Sequence, residues 1–304
     1  MTELNWVLAR KKDLLTKRAR IVNEIRAFFI AGDFLEVETP QRIPTNAPEP
    51  HIEAVECEDW FLQTSPELAM KRLLAAGYEQ LFQICRVWRR SERGRLHLPE
   101  FSMLEWYRPG VDYHALMTDC ANLLLHLIPE STITWQGHTI DLTPPWHTLS
   151  LRDAFTFYAG THPEKAIRDG RFDEILALEV EPRLGNDKPT FLIEYPAELA
   201  ALARRKPEDP TVAERFELYI CGLELANAFS ELTDPAEQKL RFERDERLRR
   251  AAGKTPYPSA VKFLDELWTM PEAAGIALGI DRLLMLLTDR ADIADVVAFP
   301  PETL

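Results

Sequence analysis

The chain has 304 residues, 46% of them hydrophobic, and its 49 acidic and 36 basic side chains give a formal net charge of −13. This content supports one large or two small folded domains, and the acidic balance disfavours general electrostatic binding of nucleic acid. Four dispersed cysteines without a CxxC pair, and no long uncharged apolar run, predict a cytoplasmic protein with reduced thiols and no membrane segment.

The first elements are a helix, two strand candidates and a second helix. Residues 14–31 place apolar side chains at helical spacing, and residues 34–40 predict a strand closed by a proline. After a strand candidate at 54–63, SPELAMKRLLAAG predicts a helix with a capping hydroxyl at its start. In that helix Glu67 either stabilises the helix dipole or belongs to a site.

A hairpin with a basic tip follows. Residues 81–88 and 101–107 predict two strands, and Phe101 is either a core residue or a platform for a flat ring. The connecting loop is either a solvated charged turn or a polyphosphate site, because planar guanidinium groups bind phosphate oxygens in pairs. Its basic residues are Arg89, Arg90, Arg93, Arg95 and His97.

The middle of the chain carries less chemical information. Residues 112–128 predict an amphipathic helix, and a short hairpin is expected around Gln136-Gly137. Residues 148–214 mix helices and loops without chemical motifs and are interpreted as an insertion or flank, with one strand at 189–196.

The stretch RFELYICGLELANAFSELTD carries three glutamates, Glu217, Glu224 and Glu231, spaced seven residues apart among apolar neighbours. One interpretation is a helix with a solvated acidic stripe. The β-rich start and Gly222 favour a strand, a bend and a second strand with acids that face a pocket. Buried carboxylates of this kind need a cation, a metal ion or good donors.

The last third predicts a charged helix at 235–250 and then a buried strand at 273–280 of small apolar residues. Asp281-Arg282 opens an apolar helix, where a nearly buried Arg282 needs an anionic partner.

Five segments in this order resemble the motifs of class II aminoacyl-tRNA synthetases. GDFLEVETP is similar to the first motif, RVWRRSERGRLHLPEF to the second and GIALGIDR to the third; TSPELAMKRLL and GLELANAFSELTD narrow the match to the lysyl branch. The resemblance covers about residues 15–300. It implies an α+β fold, with an antiparallel β-sheet flanked by helices.

In lysyl-tRNA synthetases, an anticodon-binding β-barrel domain precedes the first motif. Only about thirty residues precede that motif here, which leaves no room for such a domain. We therefore expect a single catalytic domain over residues 1–304. The chain resembles the truncated lysyl-tRNA synthetase paralogues that attach β-lysine to a lysine side chain of translation elongation factor P. The implied substrates are ATP with Mg²⁺, (R)-β-lysine or lysine, and elongation factor P, with tRNA disfavoured.

For the nucleotide, the resemblance implies that Arg89 binds the α-phosphate and bridges it to the carboxylate, while Arg282 and His97 hold the outer phosphates; the two arginines are the catalytic residues. It implies that Glu217 and Glu224 hold Mg²⁺. The further ATP contacts that it implies are Arg90, Ser91, Leu98, Phe101, Leu225 and Gly279.

For the amino acid, the resemblance implies that Glu67 contacts the amino group near the carboxylate, which Asn227 orients. Glu105, Tyr107 and Glu231 would enclose the distal ammonium.

Two positions distinguish this chain from the tRNA-charging enzymes. Ser65-Pro66-Glu67 stands where lysyl-tRNA synthetases usually have APE, and Ala277 where they have glycine; the elongation-factor-modifying enzymes share both choices. A methyl or hydroxyl group changes selectivity by about 1–3 kcal/mol. The resemblance therefore implies a pocket shaped for β-lysine.

The chain also departs from the family pattern at two positions. Ser91 replaces the usual glutamate of the second motif, with Glu92 following, and Ala228 replaces a glycine beside Asn227. The alternative functions are a catalytically silent regulatory paralogue, a ligase that acts on another carrier or small molecule, and a minimal tRNA-charging enzyme.

The resemblance also implies a homodimer, because the helix and strand of the first motif form the subunit interface of class II synthetases. The apolar face that ends in Phe28 and Phe29 is either part of that interface or packs on its own core.

Overall fold

The computed structural model describes residues 3–200 and 202–304, and one large β-sheet organises them. The strands in these residues are β1 (Leu35–Glu36), β2 (Arg42–Ile43), β3 (Glu56–Cys57), β4 (Trp60–Leu62), β5 (Leu81–Trp88), β6 (Glu100–Pro109), β7 (Thr132–Trp135), β8 (His138–Asp141), β9 (His147–Ser150), β10 (Thr190–Ile193), β11 (Arg205–Lys206), β12 (Asp209–Ala213), β13 (Arg215–Ile220), β14 (Leu223–Ser230) and β15 (Ala273–Gly279).

Helices cover both faces of this sheet. They are α1 (Glu3–Arg10), α2 (Lys12–Ala31), α3 (Glu67–Ala75), α4 (Tyr113–Leu127), α5 (Leu151–Ala159), α6 (Pro163–Arg168), α7 (Phe172–Ile175), α8 (Pro235–Ala251), α9 (Val261–Glu266) and α10 (Ile280–Leu287). A π-helical turn, Leu176–Val180, continues α7.

The large sheet has the strand order β1-β5-β6-β15-β14-β13-β10-β9 among the described residues. The five pairings from β5 to β10 are antiparallel, whereas β1 and β9 join the two edges in parallel. The predicted α+β fold with an antiparallel sheet and flanking helices is confirmed, and the parallel edges make the sheet mixed.

Most predicted elements are present with small shifts of their ends, but two strand predictions were wrong in extent. Only Leu35–Glu36 of the 34–40 stretch pairs with β5, and the chain leaves the sheet before Pro40, which lacks an N–H donor. Residues 54–63 form the hairpin of β3 and β4, because Glu58 adopts a left-handed φ of 57° and reverses the chain.

The rear face of the sheet is the main hydrophobic core. Alternate side chains of β6, such as Leu104 and Trp106, are fully buried there. They belong to one cluster with Ile25 of α2, Leu123 of α4 and Leu284 of α10. The motif-rich strands are therefore held rigidly from behind.

Helix α2 packs on this core with the face that ends in Phe28 and Phe29. Phe29 is 1% exposed and stacks on Phe82 with ring centroids 5.0 Å apart. Phe28 packs edge-on against Phe29 at 5.2 Å and is partly buried against the same cluster. This apolar face is thus occupied within the chain and gives no support to a subunit interface.

Two smaller hydrophobic clusters lie beside the front face of the sheet. Helices α3 and α9 pack together around Leu74 and Phe263. Helices α5 to α7 pack around Phe155 and Phe172. The segment between residues 148 and 214 is thereby placed beside the open front of the sheet.

Candidate active site

A cavity of about 500 Å³ opens on the front face of the sheet. It brings together most of the residues that the sequence motifs identified. Those that line it are Ser65, Glu67, Arg89, His97, Leu98, Phe101, Glu105, Tyr107, Glu217, Glu224, Leu225, Asn227, Ala277, Gly279 and Arg282. Pro66, Arg90, Ser91 and Glu231 lie outside its lining.

Strand alternation explains this convergence. Residues two apart on a strand face the same side, so β6 directs Phe101, Met103, Glu105 and Tyr107 to the cavity, while Leu104 and Trp106 face the core. The paired strand β15 presents Ala277 and Gly279 to the same space.

Residues from four neighbouring strands form a row across the cavity floor. Glu105 of β6 is opposite Ala277 of β15, which is opposite Asn227 of β14, which is opposite Glu217 of β13. Opposed residues of antiparallel strands project on the same face, with Cβ atoms about 5 Å apart. A substrate on this floor therefore contacts side chains from distant parts of the sequence.

A β-bulge delivers two consecutive residues of β14 to the cavity. Leu218 pairs with Ala226 but Tyr219 pairs with Glu224, which leaves Leu225 without an opposite residue. Glu224 and Leu225 both line the cavity as a result. Ala228, which replaces a glycine of the family pattern, points away into the core at 0% exposure and does not line the cavity.

Arg282 is fixed at the end of the cavity predicted to bind the nucleotide. Its Nη1 donates to the Glu224 carbonyl oxygen at 2.9 Å and to the carboxylate at 3.2 Å, while Nη2 lies 2.6 Å from His97 Nε2. Burial and the neighbouring guanidinium of Arg282 lower the pKa of His97. His97 is therefore neutral and accepts this hydrogen bond, which helps to hold the Arg282 guanidinium in place.

Arg89 follows β5 and lies over the ring of Phe101, with its guanidinium carbon 5.2 Å from the ring centroid. Glu92 lines the cavity and approaches Arg89 at 3.7 Å. Ser91 has a left-handed φ of 68° and turns the loop. Glu92 is thus the acidic side chain that this loop presents to the cavity, and Arg90 points outward toward Glu53.

Glu217 is more heavily hydrogen-bonded than the motif suggested. Arg215 donates to one carboxylate oxygen at 2.6 Å, and Tyr195 and Tyr219 donate to the other at 2.5 and 2.6 Å. A carboxylate has about four lone-pair sites, so roughly one remains. Glu224 is freer, because among the described residues its carboxylate contacts only Arg282.

These carboxylates fit an ion that shares its ligands with a substrate. The described residues contain no group of three or more His, Cys, Asp or Glu side chains that could hold a metal ion. Mg²⁺ commonly binds through one or two carboxylates and completes its shell with water and phosphate oxygens. The Glu224 carboxylate, together with the one lone-pair site that remains free on Glu217, could supply the one or two carboxylate ligands of that pattern.

The other end of the cavity is acidic. Ser65 donates to Glu105 at 2.6 Å and Tyr107 donates to its second oxygen at 2.8 Å. Burial, reinforced by the carboxylate of Glu67, raises the pKa of Glu105 to about 7. This raised pKa is the physical sign of a buried carboxylate that lacks a full cationic partner.

Glu67 and Glu231 are joined by a lysine that the sequence analysis did not identify. Lys71 of α3 lies 2.5 Å from Glu67 and also pairs with Glu231, and its side chain is 1% exposed. Glu231 therefore sits behind the cavity wall. The Glu67–Lys71 spacing of four residues on a predicted helix was a signal for half of this contact.

A second residue that the sequence analysis missed is Arg215. It donates to Asn227 Oδ1 at 3.0 Å, to the Leu199 carbonyl at 3.1 Å and to Glu217. Because Oδ1 is taken, the amide NH₂ of Asn227 is left to donate, as a carboxylate ligand requires. Arg215 precedes Glu217 by two residues, and strand alternation predicts that they share a face.

Two segments without recognised motifs complete the walls. Glu49, Pro50, His51 and Ile52 line the mouth, where Arg249 of α8 donates to the carbonyl oxygens of Glu49 and Ile52. Phe172 and Leu176 line it from α7 and the π-helical turn. Residues 148–214, interpreted from the sequence as an insertion or flank without chemical motifs, thus contribute side chains to the cavity wall.

Comparison with known proteins agrees with this architecture. Residues 3–303 match the family of class II tRNA synthetases (D, K and N). The chain belongs to the class II tRNA synthetase family, as its motifs predicted.

Among its relatives, an elongation factor P–(R)-β-lysine ligase of Erwinia tasmaniensis is 43% identical over 305 residues, which cover 94% of each chain. A ligase of the same name from Salmonella gallinarum is 42% identical over 309 residues, with the same coverage.

No helix among the described residues is long and apolar enough to span a membrane.

Proposed function

We propose that this protein activates (R)-β-lysine, or lysine, with ATP and transfers it to a lysine side chain of translation elongation factor P. The observation that carries the proposal is the polarity of one cavity. Arg89 and Arg282 stand at one end, and the carboxylates of Glu67 and Glu105 at the other, backed by Glu231. A nucleoside triphosphate and a diamino acid need these two opposite environments.

In the first step, a carboxylate oxygen of the amino acid attacks the α-phosphorus of ATP and pyrophosphate leaves. Arg89 and the amide of Asn227 orient the carboxylate, while Arg282 and His97 take the outer phosphates. Phe101 supports the adenine ring. Such displacement depends on positioning and charge stabilisation more than on covalent assistance from the protein.

Glu224 and Glu217 would hold Mg²⁺, which neutralises charge on the phosphates when bound. Within the protein, the contact of Arg282 with Glu224 keeps the carboxylate and guanidinium beside each other. Both groups are then aimed at the same phosphate chain.

In the second step, the neutral ε-amine of the acceptor lysine attacks the acyl carbon of the adenylate. The C–N amide bond forms, the C–O bond to the phosphate breaks, AMP leaves and the amine loses a proton to solvent. A translation factor as acceptor places this reaction in the cytoplasm.

We also propose a homodimer. Its support is the family resemblance together with the exposed Leu35, which is 51% accessible on the edge strand β1, and Ile30, which is 58% accessible at the end of α2.

The test is an intact-mass assay with ATP, Mg²⁺ and each lysine isomer, using elongation factor P in one arm and tRNA in another. We expect a mass gain of one lysyl group on elongation factor P, and none on tRNA. Arg89→Ala is the inactive control. Charging of tRNA would replace the proposed acceptor, and pyrophosphate release without any acylated product would indicate a different carrier.

A further inference from the structure

Lys71 is a buried ammonium group in the wall between the two amino-group subsites. Its side chain is 1% exposed, and it contacts Glu67 from its own helix and Glu231 from the end of β14. It also lies 5.0 Å from the ring centroid of Phe229. Burial alone would lower the pKa of Lys71, but the carboxylates of Glu231 and Glu67 outweigh burial and raise it. Lys71 is therefore charged.

The wall carries more acid than this single lysine neutralises. Glu67 and Glu105 line the cavity and Glu231 lies directly behind it; these three are called the wall carboxylates, and Lys71 compensates one of them. When all four groups are ionised, two negative charges remain. A diamino acid brings two ammonium groups, which balance the two negative charges that these four residues leave.

Two properties of Glu231 agree with this excess of negative charge. Glu231 Oε1 is buried and accepts no hydrogen bond from the residues that the structure describes. Burial, with the carboxylates of Glu67 and Glu105, raises the pKa of Glu231 to about 8, although Lys71 opposes the shift. The free protein thus keeps protons that a cationic ligand would displace.

We propose that Lys71 is a specificity-determining and positioning residue: it neutralises one of three wall carboxylates, so that the subsite matches an amino acid with two ammonium groups. This inference rests on the proposed function, because it takes a diamino acid as the substrate. A merely structural Lys71 would anchor α3 to β14 without setting the charge of the subsite.

The two roles make opposite predictions for a double substitution. Glu231→Gln leaves Lys71 without that carboxylate, so a bound diamine meets one negative charge too few. Adding Lys71→Met removes the unmatched cation and restores the balance with Glu67 and Glu105. Charge balance therefore predicts that the second substitution repairs binding, whereas a structural role predicts further damage.

The experiment measures the Kd of (R)-β-lysine and of lysine by titration calorimetry at pH 8. Loss of one partner of a buried charge pair should raise the Kd of Glu231→Gln by about a hundredfold. Lys71→Met/Glu231→Gln should bind about tenfold more tightly than Glu231→Gln, in line with the coupling measured between neighbouring charges. Met70→Leu, a buried neighbour on α3, is the control and should bind like the wild type.

A folded double variant that binds no better than Glu231→Gln would overturn the proposal. Lys71→Arg gives a second measure: it retains the charge and should stay within about fivefold of the wild-type Kd, whereas a loss as large as that of Lys71→Met would also overturn it. Thermal melts establish that each variant is folded. Because binding is measured without turnover, a wild type that binds a diamine but acylates no acceptor would reject the proposed function and leave the Lys71 comparison valid.

Discussion

Single atoms of β15 shape the acidic end of the cavity, where we propose that the amino acid binds. A Cβ atom built on Gly275 would lie 2.3 Å from Tyr107 Cε1 and 2.4 Å from Glu231 Oε1. Both partners are buried, so neither can withdraw into solvent. Glycine is required here because the wall packs against the strand backbone.

We expect Gly275→Ala to displace Tyr107 and Glu231 and to raise the KM for the amino acid by at least about thirtyfold, the effect of lost buried charge contacts. The Kd for ATP should change little, since the nucleotide end is remote. Pyrophosphate exchange and ATP titration measure the two effects. Gly32→Ala, whose Cβ would make ordinary contacts at 3.5 Å, is the control. Equal weakening of ATP would contradict this local explanation.

Ala277 is the methyl group that stands between Glu105 and Asn227 on the cavity floor. Ala277→Gly should raise the activation of α-lysine relative to β-lysine by about ten- to thirtyfold, the value of one methyl-sized space. Pyrophosphate exchange with both isomers measures the ratio. An unchanged ratio in the folded variant would place isomer discrimination elsewhere.

Contacts between elements hold the three synthetase motifs together. Asp281 at the start of α10 pairs with Arg18 of α2 and accepts from the Ser102 backbone N–H of β6 at 2.8 Å. Arg18 also donates to Ser102 Oγ at 2.7 Å. One buried carboxylate thus links an element of each motif, and Asp281 itself lines the cavity beside Arg282.

We expect Arg18→Met to lower the free energy of unfolding by about 2–4 kcal/mol, because it leaves the Asp281 carboxylate buried without its cation. Denaturant titration measures the loss. Arg26 lies on the same helix as Arg18 and forms an exposed pair with Glu36 of β1. Arg26→Met, which breaks that pair, should cost less than about 1 kcal/mol. Similar losses in the two variants would show that the Asp281 pair has no special role.

For the molecule as a whole, the raised carboxyl pKa values make stability depend on pH. The pKa values of Glu105 and Glu231 are about 7 and 8, above the ordinary value of 4.5. Between pH 4.5 and about pH 8, the folded state binds more protons than the unfolded state. The free energy of unfolding therefore falls as pH rises through this range. A bound diamine supplies the missing cations and offsets the loss.

The melting temperature of the free protein should therefore decrease from pH 5.5 to pH 8.5. The increase caused by saturating (R)-β-lysine should be larger at pH 8 than at pH 6. Thermal melts with and without the amino acid test both statements. Glu231→Gln should flatten the pH dependence, and a larger ligand effect at pH 6 would contradict the assignment.

The proposed homodimer has a direct measurement. Sedimentation equilibrium at micromolar concentration should give twice the chain mass, and Leu35→Lys on the exposed edge strand should shift the equilibrium toward the monomer. Charged residues on edge strands oppose pairing between chains. A wild-type monomer at that concentration would reject the dimer.

The residue pattern was sufficient for the elements, and the motif resemblance named most of the residues that line the cavity. The turn at Gly222 is an example: Cys221 and Gly222 both have positive φ, 50° and 70°, as a two-residue hairpin turn requires. Periods of two and 3.6 residues are local properties, so β13, β14 and α2 were predictable. Glu105 and Asn227, which the resemblance named, lie on a common face because each is opposite Ala277 of β15.

Tertiary contacts decided which partner each charged side chain has. Lys71 meets Glu231, and Arg18 meets Asp281, across long stretches of sequence. No local periodicity encodes such pairs, because they depend on how α3 and α2 dock on the sheet. Burial then sets the energetics, since it raises the pKa of an acid that lacks a cation and makes each pairing decisive. The motifs thus identify the chemistry, while docking determines the charge that the substrate must bring.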